Sequence, residues 1–495
     1  MASKFSDFRE TGTFLKSIAL LPYLKALGAD TLHLLPITLI GADGKKGNLG
    51  SPYSIRDPYR LDESLSEPFL GLGADVEFKA FVQAAHHLGM AVVLEFVFRT
   101  AAKDSDWAKK HPEWFYWIKD SLADRPVACG DPNLYGAPIL DTETLAIVKR
   151  YEFDGFTNPL VPPAVHREMF TPPPAVETTK KEKGRWVGKL LDGTRVRVPG
   201  AFADWPPDDP QPPWGDVTYL KMYDHPDFNY IAYNTVRMYD PVLAQSANAQ
   251  MALWREIEGI LPHYQKNFEI DGAMIDMGHA LPQDLFKNIV RCAREINSNF
   301  AFWEESFTLS MKSRENGYNI SMGYLFCDIA NPEKVREFLA RCAGEGMPIP
   351  FLGTAETHDT PRTAARGGRE FSKFSWALSC LLPGVPYIQG GFELDEIVPV
   401  NTGLFFTPEE IAQLPPEKLP LFSASVLNWL GEKPLLNIIK DLAAFRRTHS
   451  EVLNDAKPET FKISSAGDEI ELIRKKNGSS LRAVINLQKR KIHLG

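Results

Sequence analysis

Three acidic residues stand at the ends of separate apolar stretches, and their spacing could bring their side chains together. Asp276 closes the run IDGAMID, Glu304 ends the run that begins at Phe300, and Asp359 follows IPFLGTAETH. The first two lie 28 positions apart, which suits one strand–helix–strand step, and the second and third lie 55 apart, which suits two. Because parallel barrel strands present their carboxyl ends on one face, all three acids are expected to converge there.

Converging carboxyl groups suit the cleavage of a glycosidic bond. One ionised carboxylate attacks the anomeric carbon, while a second carboxyl group, kept protonated by its surroundings, protonates the leaving oxygen. In retaining enzymes these two groups lie about 5–5.5 Å apart. A third acid can hold sugar hydroxyls and favour positive charge on the ring. A single acid at a strand end is more often a helix cap or ion-pair member, so the prediction depends on the set.

The elements needed to position these acids are visible along most of the chain. Apolar strand-like runs alternate with amphipathic helical stretches, which begin with a helix from Thr13 to Leu27 followed by a strand at Thr31–Ile37. Further strands are predicted at Met90–Phe98, Ile270–Asp276 and Phe300–Glu304, and within SMGYLFCDI, IPFLGTA and GVPYIQGG. Repeated units with fully apolar strands predict a parallel sheet covered by helices, here a (β/α)₈ TIM barrel of the α/β class.

Two regions depart from this alternation of strands and helices, and they set the expected domain boundaries. Residues 102–248 are rich in proline and aromatic residues and contain a hairpin pattern with Asp192-Gly193 at its turn, which predicts an inserted subdomain on the active-site face. From about residue 447, period-two runs predict a small antiparallel β domain. The expected division is barrel at 1–101, insertion at 102–248, barrel at 249–446 and β domain at 447–495.

Composition excludes several other classes of protein. The net charge of −8 argues against a general nucleic-acid surface, and no apolar run reaches the length of a membrane helix. The first residues lack the apolar core of a signal peptide, and five scattered cysteines suggest neither a disulfide framework nor a zinc site. A cytoplasmic location is therefore expected, with no membrane partner, no nucleic-acid partner, no cofactor and no metal.

The acidic residues lie in motifs that resemble those of the α-amylase family, glycoside hydrolase family 13, and the likeness covers nearly the whole chain. DGAMIDMGHALP resembles the fourth-strand motif, FWEESF the fifth-strand motif and ETHDTPR the seventh-strand motif. The resemblance implies that Asp276 is the nucleophile, Glu304 the general acid/base and Asp359 the transition-state stabiliser.

The same resemblance implies a set of residues that contact the substrate. SPYSIRDPY resembles the stretch whose tyrosine, here Tyr53, stacks under the sugar, and His358 corresponds to a ligand of sugar hydroxyls. His279 stands where many relatives place a lysine or histidine facing the acceptor. The complete expected set is Tyr53, Arg99, His279, Glu305, His358 and Arg362.

Within the family, GSPYSI, FRTAAKDSD, HPEWFYWIK and DMGHALP are most similar to the bacterial maltosyltransferase type. Such enzymes form a covalent glycosyl-enzyme and pass the maltosyl unit to another α-1,4-glucan instead of to water. Transfer requires that acceptor sites bind well and that water is held off. Trp205 and Trp214 of the insertion could supply apolar walls for such sites, although packing within the subdomain would explain them equally well.

Two positions near the expected nucleophile depart from the family pattern. Met274 replaces an arginine that normally holds the nucleophile ionised, and Glu95 replaces its aspartate partner. Arg99 could supply the missing positive charge; otherwise the site has decayed. Arg99 and Thr100 also replace an Asn-His pair whose asparagine binds calcium in many α-amylases, and an arginine offers only donors, so no calcium is expected there.

The amino-terminal region is another departure, because relatives have a barrel strand before the helix that starts near Thr13. The 12 residues that precede Thr13 are too few for that strand and its loop, so a first barrel strand is expected to be missing. A barrel lacking one strand exposes two unpaired edges, unless another segment fills the gap.

These observations predict a retaining α-glucan-active enzyme, most simply an α-1,4-glucan maltosyltransferase or glucanotransferase that uses malto-oligosaccharides. The first alternative is an α-amylase-type hydrolase with the same residues. The second alternative is a catalytically impaired glucan-binding relative, which Met274 and the missing strand would explain. The sequence leaves the oligomeric state open.

Overall fold

The protein is described from a computed structural model, which covers residues 8–123, 168–201, 215–225, 244–403, 407–415 and 418–495. The strands in these ranges are β1 (Thr31–Leu34), β2 (Thr38–Ile40), β3 (Ile55–Leu61), β4 (Ala91–Phe96), β5 (Thr100–Ala102), β6 (Trp117–Lys119), β7 (Phe170–Thr171), β8 (Lys180–Glu182), β9 (Arg185–Lys189), β10 (Arg195–Arg197), β11 (Val217–Tyr219), β12 (Gly272–Ile275), β13 (Ala301–Glu304), β14 (Ile320–Ser321), β15 (Leu352–Gly353), β16 (Val385–Pro386), β17 (Phe461–Ala466), β18 (Glu469–Lys476), β19 (Ser479–Asn486) and β20 (Lys491–Leu494).

The helices connect these strands and cover the barrel. In the same ranges they are α1 (Phe14–Leu27), α2 (Ala74–His87), α3 (Trp107–Lys110), α4 (Asp120–Ala123), α5 (Met251–Phe268), α6 (Gln283–Ile296), α7 (Met311–Glu315), α8 (Leu325–Asp328), α9 (Pro332–Gly344), α10 (Thr363–Leu381), α11 (Pro408–Gln413), α12 (Leu436–Thr448) and α13 (Ser450–Leu453). Helix α1 shows how local sequence sets the bounds, because the Thr13 hydroxyl caps its first turn and Gly28 ends it with a φ of 103°.

Parallel strands form the central wall in the order β1-β4-β12-β13-β14, and β15 pairs in parallel with β16. A bridge between Ser321 and Phe351 links β14 to the segment that enters β15. The strands of this wall therefore lie side by side in the order in which they occur along the chain, as expected for a barrel built from strand–helix units. The prediction of parallel barrel strands is confirmed, although the run SMGYLFCDI contributes only its first residue to a strand and then forms α8.

Side chains of the wall alternate between the barrel interior and the helical layer. Met274 lies opposite Glu95 on β4 and Trp303 on β13. Val93, Met274 and Trp303 pack together in one buried cluster. Their neighbours along the strands, such as Leu94, Ala273 and Phe302, belong to the large core shared with the helices. Because side chains alternate with a period of two along each strand, this alternation also determines which residues at the strand ends face the site.

The insertion contributes a second, antiparallel sheet with the order β7-β6-β10-β9-β8. The predicted hairpin joins β9 to β10, and its turn places Gly193 at a φ of 86° while Asp192 Oδ1 accepts a hydrogen bond from the Thr194 amide. Strand β11 pairs with β5 and so ties the insertion to the barrel. Trp205 and Trp214 lie outside the described residues.

The chain ends in a four-stranded antiparallel sheet with the order β17-β18-β19-β20, which confirms the predicted β domain. Its apolar face packs against α10 and α13. Arg474 is fully buried at this contact and donates hydrogen bonds to the carbonyl oxygens of Leu381, Val452 and Asp455. These hydrogen bonds hold the β domain against the carboxyl-terminal end of α10 and against the segment that contains α13.

Buried ion pairs join the loop after β2 to the insertion. Lys46 lies 3.2 Å from Asp216, and both side chains are almost completely enclosed. Lys103 lies 3.5 Å from Asp43, and the Asp104 carboxylate accepts a hydrogen bond from Lys181. Removing one member of such a pair leaves the other charged and desolvated, which commonly costs about 3–5 kcal/mol.

We therefore predict that Lys46→Met lowers the free energy of unfolding by about 3–5 kcal/mol in denaturant titrations, since it leaves the Asp216 carboxylate buried without its counter-charge. Lys334→Met removes the exposed Lys334–Glu337 pair and serves as the matched control, with an expected loss below about 1 kcal/mol. Adding Asp216→Leu to Lys46→Met should recover part of the loss. Equal stability of the two lysine variants would contradict this account.

Candidate active site

The candidate site lies at the carboxyl ends of the barrel strands. Asp276 directly follows β12 and Glu305 directly follows β13, and the backbone ladder continues through both positions. The Asp276 amide donates to the Phe96 carbonyl at 3.0 Å, and the Glu305 amide donates to the Ile275 carbonyl at 3.2 Å. The two carboxyl groups are thus carried by adjacent, hydrogen-bonded backbones, which fixes their separation.

The structure corrects the prediction that Glu304 faces Asp276. Side chains alternate along β13, so Trp303 and Glu305 point into the barrel and Glu304 points towards the helical layer. Glu304 is only 4% exposed, and its carboxyl group hydrogen-bonds with Ser313 and Ser321. Burial raises the pKa of Glu304.

Glu305 occupies the place that was predicted for Glu304. Its side chain remains partly exposed, it hydrogen-bonds with the Asp276 carboxyl group, and Glu305 Oε2 accepts a hydrogen bond from the Met277 amide at 2.8 Å. His279 Nδ1 lies 3.1 Å from the Glu305 carbonyl oxygen, so the histidine is adjacent to the acid as the motif implied. The alternation of FWEE, in which Trp303 and Glu305 share a face, is the sequence signal that identifies this residue.

Burial and nearby charges shift the pKa values of both acids. Burial raises the pKa of Asp276 to about 6, although the positive charge of Arg99 and the Glu305 hydrogen bond oppose the increase. Burial also raises the pKa of Glu305 well above its usual range, and the charges of Asp276, Asp359 and Glu95 add to that effect. The pKa values of both carboxyl groups are therefore raised, and the two groups titrate as one interacting pair.

A third acid approaches the pair from the loop after β15. Asp359 Oδ1 accepts a hydrogen bond from the Thr402 hydroxyl at 2.9 Å, and Asp359 Oδ2 lies 3.6 Å from His358 Nε2. Tyr53 packs nearly parallel to the His358 ring, and its hydroxyl lies 2.6 Å from His358 Nε2. The structure thus brings Tyr53, His358 and Asp359 together with the Asp276–Glu305 pair.

The positions that depart from the family pattern lie directly beneath the acids. Met274 is 1% exposed and places no charge beside Glu95, which stands opposite it. The partner of Glu95 is instead His33 of β1, whose Nε2 lies 3.4 Å from Glu95 Oε2. Burial alone would raise the pKa of Glu95, but the His33 hydrogen bond and the charges of His358 and His33 outweigh it, so the pKa is lowered.

His33 was missed by sequence reasoning, which read TLHLLPI only as an apolar strand. A histidine on an otherwise apolar barrel strand is the signal that could have identified it. Arg99 lies over the Tyr219 ring, 5.2 Å from its centroid, and its charge lowers the pKa of Asp276. It therefore supplies part of the positive field that Met274 cannot.

Arg362 requires a second correction, because the structure uses it as a packing residue. Its guanidinium donates to Glu356 Oε1 at 2.8 Å and to the carbonyl oxygens of Gly390 and Val398. The residue is 2% exposed. These contacts hold the end of the seventh-strand motif against the segment after β16.

Within the described ranges, no group of three or more His, Cys, Asp or Glu residues could hold a metal ion. Thr100, which follows Arg99 at the position where no calcium was expected, starts β5 and pairs through its backbone with Tyr219. In the same ranges no helix is both long and apolar enough to cross a membrane.

The raised pKa of Asp276 has a consequence for stability. A carboxyl group whose pKa rises from 3.8 to about 6 on folding destabilises the protein as pH increases through that interval. We expect Asp276→Asn to be more stable than the unchanged protein by about 3 kcal/mol at pH 7.5, with the difference falling below about 1 kcal/mol near pH 4. Denaturant titrations at both pH values measure this, with the exposed turn variant Asp468→Asn as control. A stability gain that does not change with pH would contradict the assignment.

Comparison with known proteins begins at the level of sequence. No protein-family model matches the chain. A curated α-1,4-glucan:maltose-1-phosphate maltosyltransferase of Cereibacter sphaeroides is 37% identical over 129 residues, which is 24% of this chain and 21% of that protein. The enzyme of the same name from Chlorobaculum tepidum is 35% identical over 119 residues, 22% of this chain and 17% of that protein. The chain thus matches about a fifth of the length of these relatives.

Solved structures resemble the chain over almost its whole length. An α-amylase from Lactobacillus plantarum aligns with a TM-score of 0.61 and 19% identity, covering 97% of this chain and 86% of that one. A maltogenic α-amylase from Thermotoga neapolitana aligns with a TM-score of 0.59 and 18% identity, covering 98% and 84%. The chain therefore has the fold of these α-amylases, and over the matched quarter its sequence resembles the bacterial maltosyltransferases.

Proposed function

We propose that the protein is a retaining α-glucan-active enzyme that transfers maltosyl or longer units between α-1,4-glucan chains. The observation that carries this proposal is the hydrogen-bonded pair of Asp276 and Glu305, which are carried by adjacent strands and whose pKa values are both raised. Two neighbouring, partly exposed carboxyl groups are suited to double displacement at a glycosidic carbon, in which one acts as the nucleophile and the other as the acid.

The mechanism assigns one role to each acid. An Asp276 oxygen attacks the anomeric carbon, and the bond to the glycosidic oxygen breaks as Glu305 donates its proton to that oxygen. The resulting glycosyl ester is attacked by an acceptor hydroxyl, whose proton passes to the Glu305 carboxylate, and Asp276 leaves ionised. The hydrogen bond between the two acids must open when a sugar binds, because the anomeric carbon and the leaving oxygen have to lie between them.

Asp359 and its neighbours would hold the ring during this exchange. Its carboxylate, oriented by the Thr402 hydroxyl, is suited to bind sugar hydroxyls and to favour positive charge at the anomeric carbon. Tyr53 offers an aromatic face beside His358 for the apolar side of the sugar. His279, whose Nδ1 lies beside the Glu305 carbonyl oxygen, would contact the leaving group or the acceptor.

The choice of transfer over hydrolysis, and of donor, rests on the resemblance. The relatives that match a quarter of the chain are named for maltose 1-phosphate and α-1,4-glucan, so both are candidate substrates here. Incubation with maltotetraose, with and without maltose 1-phosphate, tests the proposal. Transfer gives shorter and longer chains without a gain in reducing ends, whereas a gain in reducing ends supports hydrolysis instead.

An impaired, glucan-binding protein is the second candidate, and the observation that favours it is the uncharged Met274 beside Glu95. Binding of maltoheptaose without any turnover, together with an intact fold, would support that alternative and contradict the transferase proposal.

Two adjacent glutamates provide a matched test of the general acid. We predict that Glu305→Gln lowers kcat by about 10²–10⁴-fold on maltotetraose, since no proton is available for the leaving oxygen. Glu304→Gln should keep activity within about tenfold, because its side chain faces the helical layer. With α-maltosyl fluoride, whose leaving group needs little protonation, the Glu305→Gln defect in forming the glycosyl-enzyme should shrink. The reverse ranking of the two variants would restore Glu304 as the acid.

A second variant tests the departure at position 274. Met274→Arg should lower the pKa of Asp276 by adding a guanidinium beneath it, and so shift the acidic limb of the kcat–pH profile down by about one unit, equivalent to about 1.4 kcal/mol. Activity should therefore increase mainly below pH 6, where Asp276 is partly protonated. Met274→Leu is the uncharged control. A folded Met274→Arg variant with an unchanged acidic limb would show that Arg99 and His33 already supply the positive charge that this part of the site requires.

A further inference from the structure

Four side chains form a continuous polar network beneath the candidate active site. Glu95 lies at its centre, since His33 Nε2 lies 3.4 Å from Glu95 Oε2 and the Tyr53 side chain also hydrogen-bonds with the Glu95 carboxylate. The Tyr53 hydroxyl in turn lies 2.6 Å from His358 Nε2. All four side chains are almost completely enclosed. The network therefore connects β1 and β4 of the barrel wall with two residues that the proposed function assigns to the sugar.

The number of protons in the network fixes the direction of its hydrogen bonds. The pKa of Glu95 is lowered, so its carboxylate only accepts, and it receives bonds from both His33 Nε2 and the Tyr53 hydroxyl. Burial raises the pKa of Tyr53 well above its usual range, and the hydroxyl therefore keeps its single proton. Because that proton is directed at Glu95, the Tyr53 oxygen accepts from His358, whose Nε2 must carry a proton.

His33 keeps Glu95 in the role of acceptor. Burial by itself would raise the pKa of Glu95, and the His33 hydrogen bond is the largest contribution that opposes this increase. Met274, which stands opposite Glu95 on β12, supplies no charge. The Tyr387 hydroxyl lies 3.2 Å from His33 Nδ1, and a hydroxyl that donates to Nδ1 leaves the ring proton on Nε2, which faces Glu95.

Other titratable groups near Glu95 act on it in opposite directions. The Glu95 charge raises the pKa values of Asp276 and Glu305, so these two acids disfavour an ionised Glu95. The charge of His358 lowers the pKa of Glu95, although the hydrogen bond of His358 Nε2 is with the Tyr53 hydroxyl. Loss of His33 would therefore shift the balance towards a protonated Glu95.

We propose that His33 is a positioning residue of the sugar site, which acts through Glu95 to set the direction of the hydrogen bonds that orient Tyr53 and His358. The proposal rests on the proposed function in one respect, namely that these two residues contact the sugar.

The direction of the network reverses when His33 is removed. The buried Glu95 carboxyl group takes up a proton from solvent and donates it to the Tyr53 oxygen. The Tyr53 hydroxyl then donates to His358 Nε2, so the proton of the His358 ring moves to Nδ1. His358 thereby exchanges an acceptor for a donor at Nδ1, which mismatches a sugar hydroxyl placed for the original arrangement.

Two amide replacements separate the two contacts of His33. The amide nitrogen of glutamine takes the place of Nε2 and donates to Glu95, whereas the shorter asparagine reaches only the place of Nδ1, beside Tyr387. His33→Gln should therefore keep the direction of the network, and His33→Asn should lose it. His33→Phe tests the loss of both contacts with the packing retained, because the replaced ring lies beside Trp303 with centroids 5.6 Å apart.

Nitrogen-15 spectra of the full chain labelled at histidine report the tautomer directly, with the His358 signals assigned by their loss in His358→Gln. We expect the proton on His358 Nε2 in the unchanged protein and in His33→Gln, and on Nδ1 in His33→Asn and His33→Phe. A change in packing alone would not move this proton. A bare Nε2 in the unchanged protein, or a protonated Nε2 in every variant, would overturn the proposal. If His33→Phe does not fold, the comparison of His33→Asn with His33→Gln decides.

Binding of maltotriose connects the network to the sugar. Calorimetry in a Glu305→Gln background, which prevents turnover, should show affinity weakened about tenfold or more by His33→Asn and His33→Phe, and by less than about threefold by His33→Gln. Equal affinity of the three variants would overturn the positioning role. If even the unchanged protein binds no maltotriose, the proposed function fails, and the His358 tautomer still decides whether His33 sets the direction of the network.

Discussion

The interaction between the Asp276 and Glu305 carboxyl groups is the one on which the proposed chemistry depends. It arises from the parallel ladder, because residues that follow adjacent strands by one position are held side by side by backbone hydrogen bonds. Enclosure by the barrel raises the pKa of both acids, and the Asp359 and Glu95 charges raise that of Glu305 further. In the proposed mechanism these two similar side chains serve as nucleophile and acid.

The residues beneath this pair differ from those that the family resemblance implies. A methionine fills the interior position where the resemblance implies an arginine, and Glu95 is stabilised from the other side by His33 of β1. Arg99, held over Tyr219, contributes positive charge to Asp276 from the loop after β4. Arg99 therefore supplies positive charge to the nucleophile, whereas His33 acts on Glu95.

Elements with strong local patterns could be predicted from the sequence. Helix α1 starts after its Thr13 cap and ends before Gly28, the Asp192-Gly193 turn closes a hairpin, and period-two runs form the last sheet. The direction in which each side chain of a strand points was harder to predict. The run FWEE contains two adjacent acids, and only the alternation with Trp303 indicates which of them faces the barrel interior. The burial of Arg362 and the role of His33 depend on contacts between distant segments, which a single sequence does not display. A short apolar run such as SMGYLFCDI is compatible with either strand or helix, and the structure makes its first residue part of a strand and Leu325–Asp328 a helix.

The covalent intermediate provides the most direct test of the central claim. A maltosyl fluoride with fluorine in place of the 2-hydroxyl slows both steps, yet its good leaving group still permits the first. After incubation, proteolysis and mass spectrometry should find the sugar on the peptide that contains Asp276, with labelling lost in Asp276→Asn and retained in Glu304→Gln. Labelling of a different residue, or product formation with inverted configuration and no label, would contradict the assignment of the Asp276–Glu305 pair.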